Sequence, residues 1–321
     1  VEECDKDYCE GPSTRADIER RFADTPHGPR CIPAFGIWQK GKLRRIDDAA
    51  VSGHNDLTFM RETIVCDTAD LPSMIAKEFG KHVGFDAVCL GIGTDDIAAA
   101  YRVCIPCAEP EYTVAAVWKP ASVDGDAGVF YFVLRGFNFG LKSAPLHLGT
   151  ALNPLVDLVR KLFLVPCGRF YDDVLTVDIR AHCASAQLCL NFFFSLVGFP
   201  FSPKKHERCR RANAFLGVMN DFSYLQLGYV LIRMKEKRRR KLRAELRQVL
   251  ENGRMTPAHA ARLRGKLYFS TCSSFFGVGR AALQAFTARQ YNRSGTSKLT
   301  PELRVAVEFF IELLGFLRFL H

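Results

Sequence analysis

Two adjacent carboxylates, Asp172 and Asp173, stand between Phe170-Tyr171 and Val174-Leu175, where the neighbours on both sides favour a strand. Like charges side by side in such a run are tolerated only where a hairpin turns in solvent or a cation neutralises them. The same choice arises at Asp95-Asp96, which follows the apolar run 88–92 and precedes Ala98-Ala99-Ala100-Tyr101. Either pair alone reads first as an exposed turn, because Asp is a common turn residue. Together they predict more. Two acidic strand ends far apart in sequence can converge in a mixed sheet and offer hard oxygen ligands to Mg²⁺, the arrangement that phosphoryl transfer requires.

The chain around them has a globular composition, 321 residues with 48% hydrophobic and 24% charged. That excludes a disordered, collagen-like or coiled-coil protein and suits one multi-lobed unit or about two to three packed subdomains. No run reaches the ~18 uninterrupted apolar residues of a spanning helix; the nearest, 188–201, is broken by Asn191 and Ser195. The expectation is a soluble chain with no membrane partner, intracellular in cytoplasm or nucleus. Glu2, Glu3, Asp5 and Asp7 replace the basic start of a signal peptide, and Val1 as first residue reads as a piece of something longer. Twelve irregularly spaced cysteines read as reduced, partly buried thiols, and Cys104-Ile105-Pro106-Cys107 lacks the second ligand pair of a structural zinc site.

Charge is unevenly placed. Between Phe201 and Arg293 there are 21 Lys+Arg and 5 Asp+Glu, which leaves a net −6 for the rest of a +10 chain. Within this basic lobe, 234–243 continues into a helical stripe of Leu242, Leu246, Val249 and Leu250. A solvated face or a localisation signal is the bland reading; recurrence of basic residues at Arg262, Arg264, Lys266, Arg280, Arg289 and Arg293 favours a surface for phosphate backbones. Upstream, the pattern predicts an irregular acidic start over 1–33, a basic strand-like patch at 38–46 and a buried strand at 85–92. It adds a strand pair at 112–118 and 128–134 and helices at 145–164 and 185–197. From 233 on, every periodic segment is helical, with breaks at Asn252-Gly253, Ser273-Ser274 and 292–295.

The company of the acids is more specific. Asp96-Ile97-Ala98-Ala99-Ala100-Tyr101 resembles the first palm motif of reverse transcriptases, and Phe139-Gly140-Leu141-Lys142-Ser143-Ala144-Pro145 resembles the second. Phe170-Tyr171-Asp172-Asp173 is similar to the third, Gly198-Phe199-Pro200-Phe201-Ser202-Pro203-Lys204-Lys205-His206 to the fourth, and Phe215-Leu216-Gly217-Val218 to the fifth. Lys42-Leu43-Arg44-Arg45-Ile46-Asp47-Asp48 resembles the fingers segment that precedes them. The six stand in the family's order over about residues 36–290. The form of the second motif, with Leu263-Arg264-Gly265-Lys266-Leu267, looks more like retrotransposons of the LTR or DIRS type than like group II introns or telomerases.

The resemblance implies an α+β, right-hand polymerase: mainly fingers over 34–95, palm with interleaved fingers elements over 96–232, a basic helical thumb over 233–293, and a C-terminal helix or start of a connection over 294–321. It implies an RNA-directed DNA polymerase with two Mg²⁺ ions, Mn²⁺ as a substitute, held by Asp96, Asp172 and Asp173 with the Ile97 carbonyl. Arg44, with Lys40 or Lys42, would lie on the incoming triphosphate beside Gly140, and Lys204 or Lys205 on the leaving group, the sequence not choosing between them. Tyr101 would exclude a 2′-hydroxyl, making dNTPs the substrate. Phe215, Leu216 and Gly217 would grip the primer, although such an apolar run equally suits core. Arg238, Arg239, Arg240, Arg264 and Lys266 would hold the phosphates of an RNA or DNA template with its primer. A parent polyprotein with RNase H and integrase or recombinase domains is implied. RNase H itself is not expected in this chain, since the 28 residues after Arg293 include Glu302, Glu308 and Glu312 but no Asp.

Two departures stand out: Phe170 where Tyr is commoner, and Tyr171 where a small or aliphatic residue is usual, which bears on processivity more than on metal binding. The alternative is an inactive, host-adopted remnant that only binds nucleic acid. Intact Asp96, Asp172, Asp173, Arg44 and Gly140 argue against decay, and Tyr101 argues against a polymerase of ribonucleotides.

Overall fold

In a computed structural model, the structure describes residues 2–39, 41–103, 108–119, 128–273, 277–292, 296–315 and 319–320. In chain order the elements are α1 (Glu2–Asp5), β1 (Cys9–Ser13), α2 (Arg15–Arg21), β2 (Cys31–Gln39), β3 (Lys42–Asp47), α3 (His54–Leu57), α4 (Leu71–Val83), β4 (Leu90–Asp96), α5 (Ala100–Val103), β5 (Val114–Lys119), β6 (Gly128–Leu134) and α6 (Ala144–Leu162). They continue with β7 (Cys167–Phe170), β8 (Asp173–Ile179), α7 (Cys183–Leu196), β9 (Glu207–Arg210), β10 (Ala212–Phe215), β11 (Val218–Asp221), β12 (Leu231–Met234), α8 (Glu236–Asn252), α9 (Pro257–Ser273), α10 (Leu283–Gln290), α11 (Pro301–Leu313) and β13 (Phe319–Leu320). The class is α+β, as expected. Two units divide the chain, Val1–Cys66 with Asp95–Val174 and Leu188–His206, and Asp67–Thr94 with Leu175–Gln187 and Glu207–His321.

In the first unit a mixed sheet runs in the order β1-β6-β5-β2-β3, with β2 parallel to β5 and the other pairs antiparallel. The period-2 alternation of strands sorts its side chains. Ala34, Ala115, Phe132 and Leu134 share one face with Cys9, while Val114, Val133, Cys31 and Tyr131 pack with Ile18 and Phe22 of the α2 segment on the other. The expected strand pair is β5 and β6, with Val114 opposite Val133. The expected irregular start is corrected: β1 pairs with β6, Cys9 opposite Leu134. A capping box then opens α2, the Asp17 amide donating to the Thr14 hydroxyl and the Thr14 amide to the Asp17 carboxylate. Asp17, one of the acids of that start, is a cap residue of a short ordered segment.

The second unit contains a sheet of order β10-β11-β12-β13 and the helices α8 to α11. Leu242, Leu246 and Val249 fall on one side of α8 as predicted and meet Leu263, Leu267, Phe286, Val307 and Phe310 in one core. Gly253, at φ 60°, ends α8 at the predicted break. The buried strand expected at 85–92 runs instead over Leu90–Asp96. α4 stops at Gly84, at φ 92°, and Phe85 folds back on Gly80, where a Cβ would lie 2.1 Å from its ring. The remaining sheet has the order β7-β8-β4-β9.

The expectation of reduced thiols fails at one pair. Cys183, at the start of α7, and Cys209, in β9, form a disulfide, whereas Cys4, Cys9, Cys31, Cys66, Cys89, Cys167, Cys189 and Cys272 are free. Cys104 and Cys107 lie outside the described residues. Among the described residues no helix is long and apolar enough to cross a membrane.

Candidate functional site

The acids are brought together by backbone hydrogen bonds. β7 and β8 are joined by a two-residue turn, Tyr171-Asp172, whose first residue takes a left-handed φ of 53°. The Ile97 amide, just past β4, donates to the Asp172 carbonyl at 2.9 Å. The Ser202 amide donates to the Asp96 carbonyl at 2.8 Å and the Ala98 amide to the Pro200 carbonyl at 2.9 Å. The first, third and fourth motifs therefore meet at one end of β4, within the first unit.

Asp95 and Asp96 point to opposite faces, as consecutive strand residues do. Asp95 is buried with the His206 Nδ1 at 2.6 Å, while Asp96 forms a salt bridge with the Lys205 ammonium. Lys204 is exposed in the same turn, so of the two lysines that sequence left undecided, Lys205 is the one at the carboxylates. Asp172 is half-buried; burial pushes its carboxyl above the usual carboxylate range, the charge of Asp96 pushes the same way, and Lys205 opposes them. Asp173 begins β8, partly buried.

Arg169, one residue before the third motif, is only 2% exposed and was not anticipated. Its Nε donates to Asn153 Oδ1 at 2.7 Å, its Nη1 to the Tyr171 carbonyl at 3.2 Å, and its Nη2 to the Gly149 and Val65 carbonyls at 3.3 Å. Gly149 leaves room for it, since a Cβ there would lie 3.0 Å from Nη2. The guanidinium thus holds the carbonyl of the strained turn residue. In a chain this basic, an Arg reads as surface, and nothing in the local sequence marks this one as buried.

The Tyr101 ring stands edge-on to Phe139 of the second motif, 5.3 Å between centroids. Gly140 has a steric reason to be glycine: a Cβ there would lie 2.0 Å from the Asp47 carbonyl oxygen. Asn55, also unanticipated, ties the same segment by donating to the Gly140 carbonyl at 3.0 Å and accepting from the Lys142 amide at 2.8 Å. Arg44 is exposed on β3 opposite Ile37; Lys42 begins that strand, and Lys40 lies outside the described residues.

In the second unit, Phe215-Leu216-Gly217-Val218 is the hairpin turn between β10 and β11, with Leu216 at φ 48° and Gly217 at φ 78°. Two left-handed residues suit the twist of a tight hairpin. Gly217 lies against Arg238 and Phe269, and the Arg238 guanidinium sits 4.3 Å over the Phe269 ring. The basic residues divide in two. Arg239 donates to the Leu314 carbonyl at 2.7 Å, Arg264 to the Thr287 hydroxyl at 2.8 Å, and Lys266 joins His259 and Arg262 around Glu245. These tie helices together. Arg238 and Arg240 are exposed, Arg240 pairing with Glu236, whose carboxyl the Arg239 and Arg240 forks hold down to about 2.

No protein family's sequence profile matches the chain, and no curated protein matches it. Solved structures do. The foamy viral protease-reverse transcriptase dRH in complex with double-stranded DNA superposes with a TM-score of 0.62 at 12% identity, over 97% of this chain and 46% of that one. Foamy viral protease-reverse transcriptase in complex with double-stranded DNA gives 0.58 at 14% identity over 88% and 52%, and in complex with an RNA/DNA hybrid 0.58 at 13% over 88% and 33%. The chain has a reverse-transcriptase-like fold. It spans 33–52% of the length of these structures, and at such identity the likeness is one of fold.

Within this reverse-transcriptase-like fold, no three His, Cys, Asp or Glu among the described residues are gathered closely enough to hold an ion. The donor chemistry nonetheless suits a hard cation: two carboxylates, Asp96 and Asp172, the first of which disfavours the charge of the second, beside a lysine paired with Asp96. A carboxyl raised in the folded state costs stability once pH exceeds that raised pKa, and costs none below the ordinary carboxylate pKa, where both states are protonated. Asp172→Asn is therefore expected to raise the melting temperature of the cation-free protein at pH 7, with the gain fading as pH falls toward 4. Thermal melts across that range check it; a lower melting temperature at pH 7 would contradict the cause assigned to the shift.

Proposed function

We propose that the chain is the polymerase part of an RNA-directed DNA polymerase from an LTR- or DIRS-type retroelement. It joins a deoxynucleotide to a primer 3′-hydroxyl. The observation that carries the reading is the convergence of Asp96 and Asp172 through the Ile97 amide, inside a reverse-transcriptase-like fold. The foamy viral structures in complex with double-stranded DNA and RNA/DNA hybrid support a template-primer duplex as partner.

Asp96, Asp172 and Asp173, with the Ile97 carbonyl, would hold two Mg²⁺ ions. When bound, these supply the positive charge that activates the primer hydroxyl and stabilises the pyrophosphate. Lys205, now paired with Asp96, would leave that carboxylate free to hold a cation and would offer its own ammonium to the leaving phosphates. Arg44, exposed on β3, reaches for the triphosphate. Tyr101, braced by Phe139, fills the space a 2′-hydroxyl would need. In the finer layout, the mixed sheet with β3 serves as fingers, the strands bearing the carboxylates as palm, and α8 to α10 as thumb. There Arg238 and Arg240 face duplex phosphates beside the primer-gripping hairpin 215–218, while Arg239, Arg264 and Lys266 hold the helices that present them.

Replacing Asp172 by Asn should lower primer extension by about 10³-fold or more, the scale of lost metal-centred charge stabilisation, and leave duplex affinity nearly unchanged. Equal losses in extension and in binding, measured side by side, would mean a structural role. Tyr101→Ala should raise ribonucleotide incorporation relative to deoxynucleotide, because the clashing ring is gone. Unchanged discrimination in a variant that folds and extends would reduce Tyr101 to packing.

A further inference from the structure

A buried charge cluster lies outside the carboxylate site. Asp47 ends β3, the strand of Arg44, with its side chain 1% exposed; Arg102 follows Tyr101, with its side chain 2% exposed. Arg102 Nη2 meets Asp47 Oδ2 at 3.1 Å. Arg45 Nε meets the other Asp47 oxygen at 2.8 Å. Glu3, from α1, pairs with Arg45 and lies 3.4 Å from Arg102 Nε. Two guanidinium groups thus face two carboxylates. A balanced set is what burial of charge demands, since removing one partner leaves an uncompensated ion.

Among the described residues, Arg102 also contacts the surroundings of Tyr101. Its Nη1 donates to the Phe137 carbonyl at 2.9 Å, and its guanidinium lies 4.9 Å over the Phe139 ring against which Tyr101 stands. The Phe137 amide donates back to the Tyr101 carbonyl at 2.8 Å. Segment 136–139 rests directly on 101–102, since a Cβ on Gly136 would come within 2.5 Å of the Tyr101 carbonyl oxygen. Gly140, next in the chain, rests on the Asp47 carbonyl. Asp47 therefore touches the first motif through Arg102 and the second through Gly140, and is three residues along one strand from Arg44.

We propose that the Asp47–Arg102 pair, completed by Glu3, is a positioning element that fixes the Tyr101 ring relative to the strand of Arg44 and so sets discrimination between deoxy- and ribonucleotides. This rests on reading Tyr101 as the sugar gate. A steric gate works only if it is held within about 0.5 Å, and Tyr101 itself is only partly buried, so its position is inherited from Phe139 and from the backbone beneath it. Arg102 braces both with one planar fork. A lysine would preserve the charge opposite Asp47 but, as a point charge, could not also cover the Phe139 ring and hold the Phe137 carbonyl.

The test compares Arg102→Lys with wild type, folding being checked by circular dichroism, in single-nucleotide incorporation of dNTP and rNTP opposite the same template base. Discrimination should fall about five-fold or more, as for contacting residues of one network, while in a Tyr101→Ala background Arg102→Lys should change it no further. Unchanged discrimination in the folded variant, or an equal fall in the Tyr101→Ala background, overturns the proposal. If Arg102→Lys does not fold, Glu3→Gln at the more exposed partner should lower discrimination in the same direction, and no change overturns it. Amide hydrogen exchange separates this claim from the polymerase reading: in Arg102→Lys, exchange should quicken at 99–102 and 136–141 and stay as in wild type in β1. Unaltered exchange at 99–102 and 136–141 overturns the positioning role even if no primer is extended, whereas absence of extension by wild type overturns only the polymerase reading.

Discussion

The hydrogen bond from the Ile97 amide to the Asp172 carbonyl is the contact on which the site depends. It joins the end of β4 to the turn between β7 and β8, and in doing so sets two carboxylates close enough that the charge of Asp96 disfavours that of Asp172. One backbone hydrogen bond contributes only about 0.5–1.5 kcal/mol net, so the arrangement needs further support. Arg169 supplies part of it by gripping the Tyr171 carbonyl from a socket made by Gly149 and Asn153. That grip also helps hold Tyr171 in a left-handed conformation that costs a non-glycine residue roughly 1–3 kcal/mol. Lys205 supplies the rest as a counter-charge on Asp96.

Arginines with little exposure do comparable work in both units. Arg169 and Arg102 use their forks to hold the backbone carbonyls of Tyr171 and Phe137, and Arg239 holds one at the end of α11. A guanidinium suits this role because its donors are fixed in one plane and it loses less by partial desolvation than an ammonium does. The net positive charge of the basic lobe therefore overstates the surface available to a polyanion. Arg264, Lys266 and Arg239 are engaged internally, and the exposed cations of α8 carry the rest of the field.

Much of this was legible in the sequence where one local pattern determines the outcome. Asp95-Asp96 and Asp172-Asp173 stood out because charge interrupts apolar strand sequence, and the stripe Leu242, Leu246, Val249 announced α8 with the face it buries. The β5–β6 pair followed from alternation and from aromatic and β-branched content. What stayed hidden depends on residues distant in sequence. β1 is too short to be read without its partner β6, and an acidic start masked the Thr14–Asp17 capping box. Arg169 and Arg102 are indistinguishable by sequence from solvated arginines, Lys205 from Lys204, and Cys183 from a free thiol until β9 brings Cys209 beside it.

The central claim is that Asp96 and Asp172 are held together as ligands for a hard divalent cation. Electron paramagnetic resonance of Mn²⁺, titrated into the protein with a primer-template and a dNTP analogue that cannot be joined, measures this without relying on turnover. The account predicts protein-bound Mn²⁺ in the wild type, weakened about ten-fold or more by Asp96→Asn, since affinity for such ions follows the number of charged ligands. Equal Mn²⁺ binding by wild type and Asp96→Asn would contradict it.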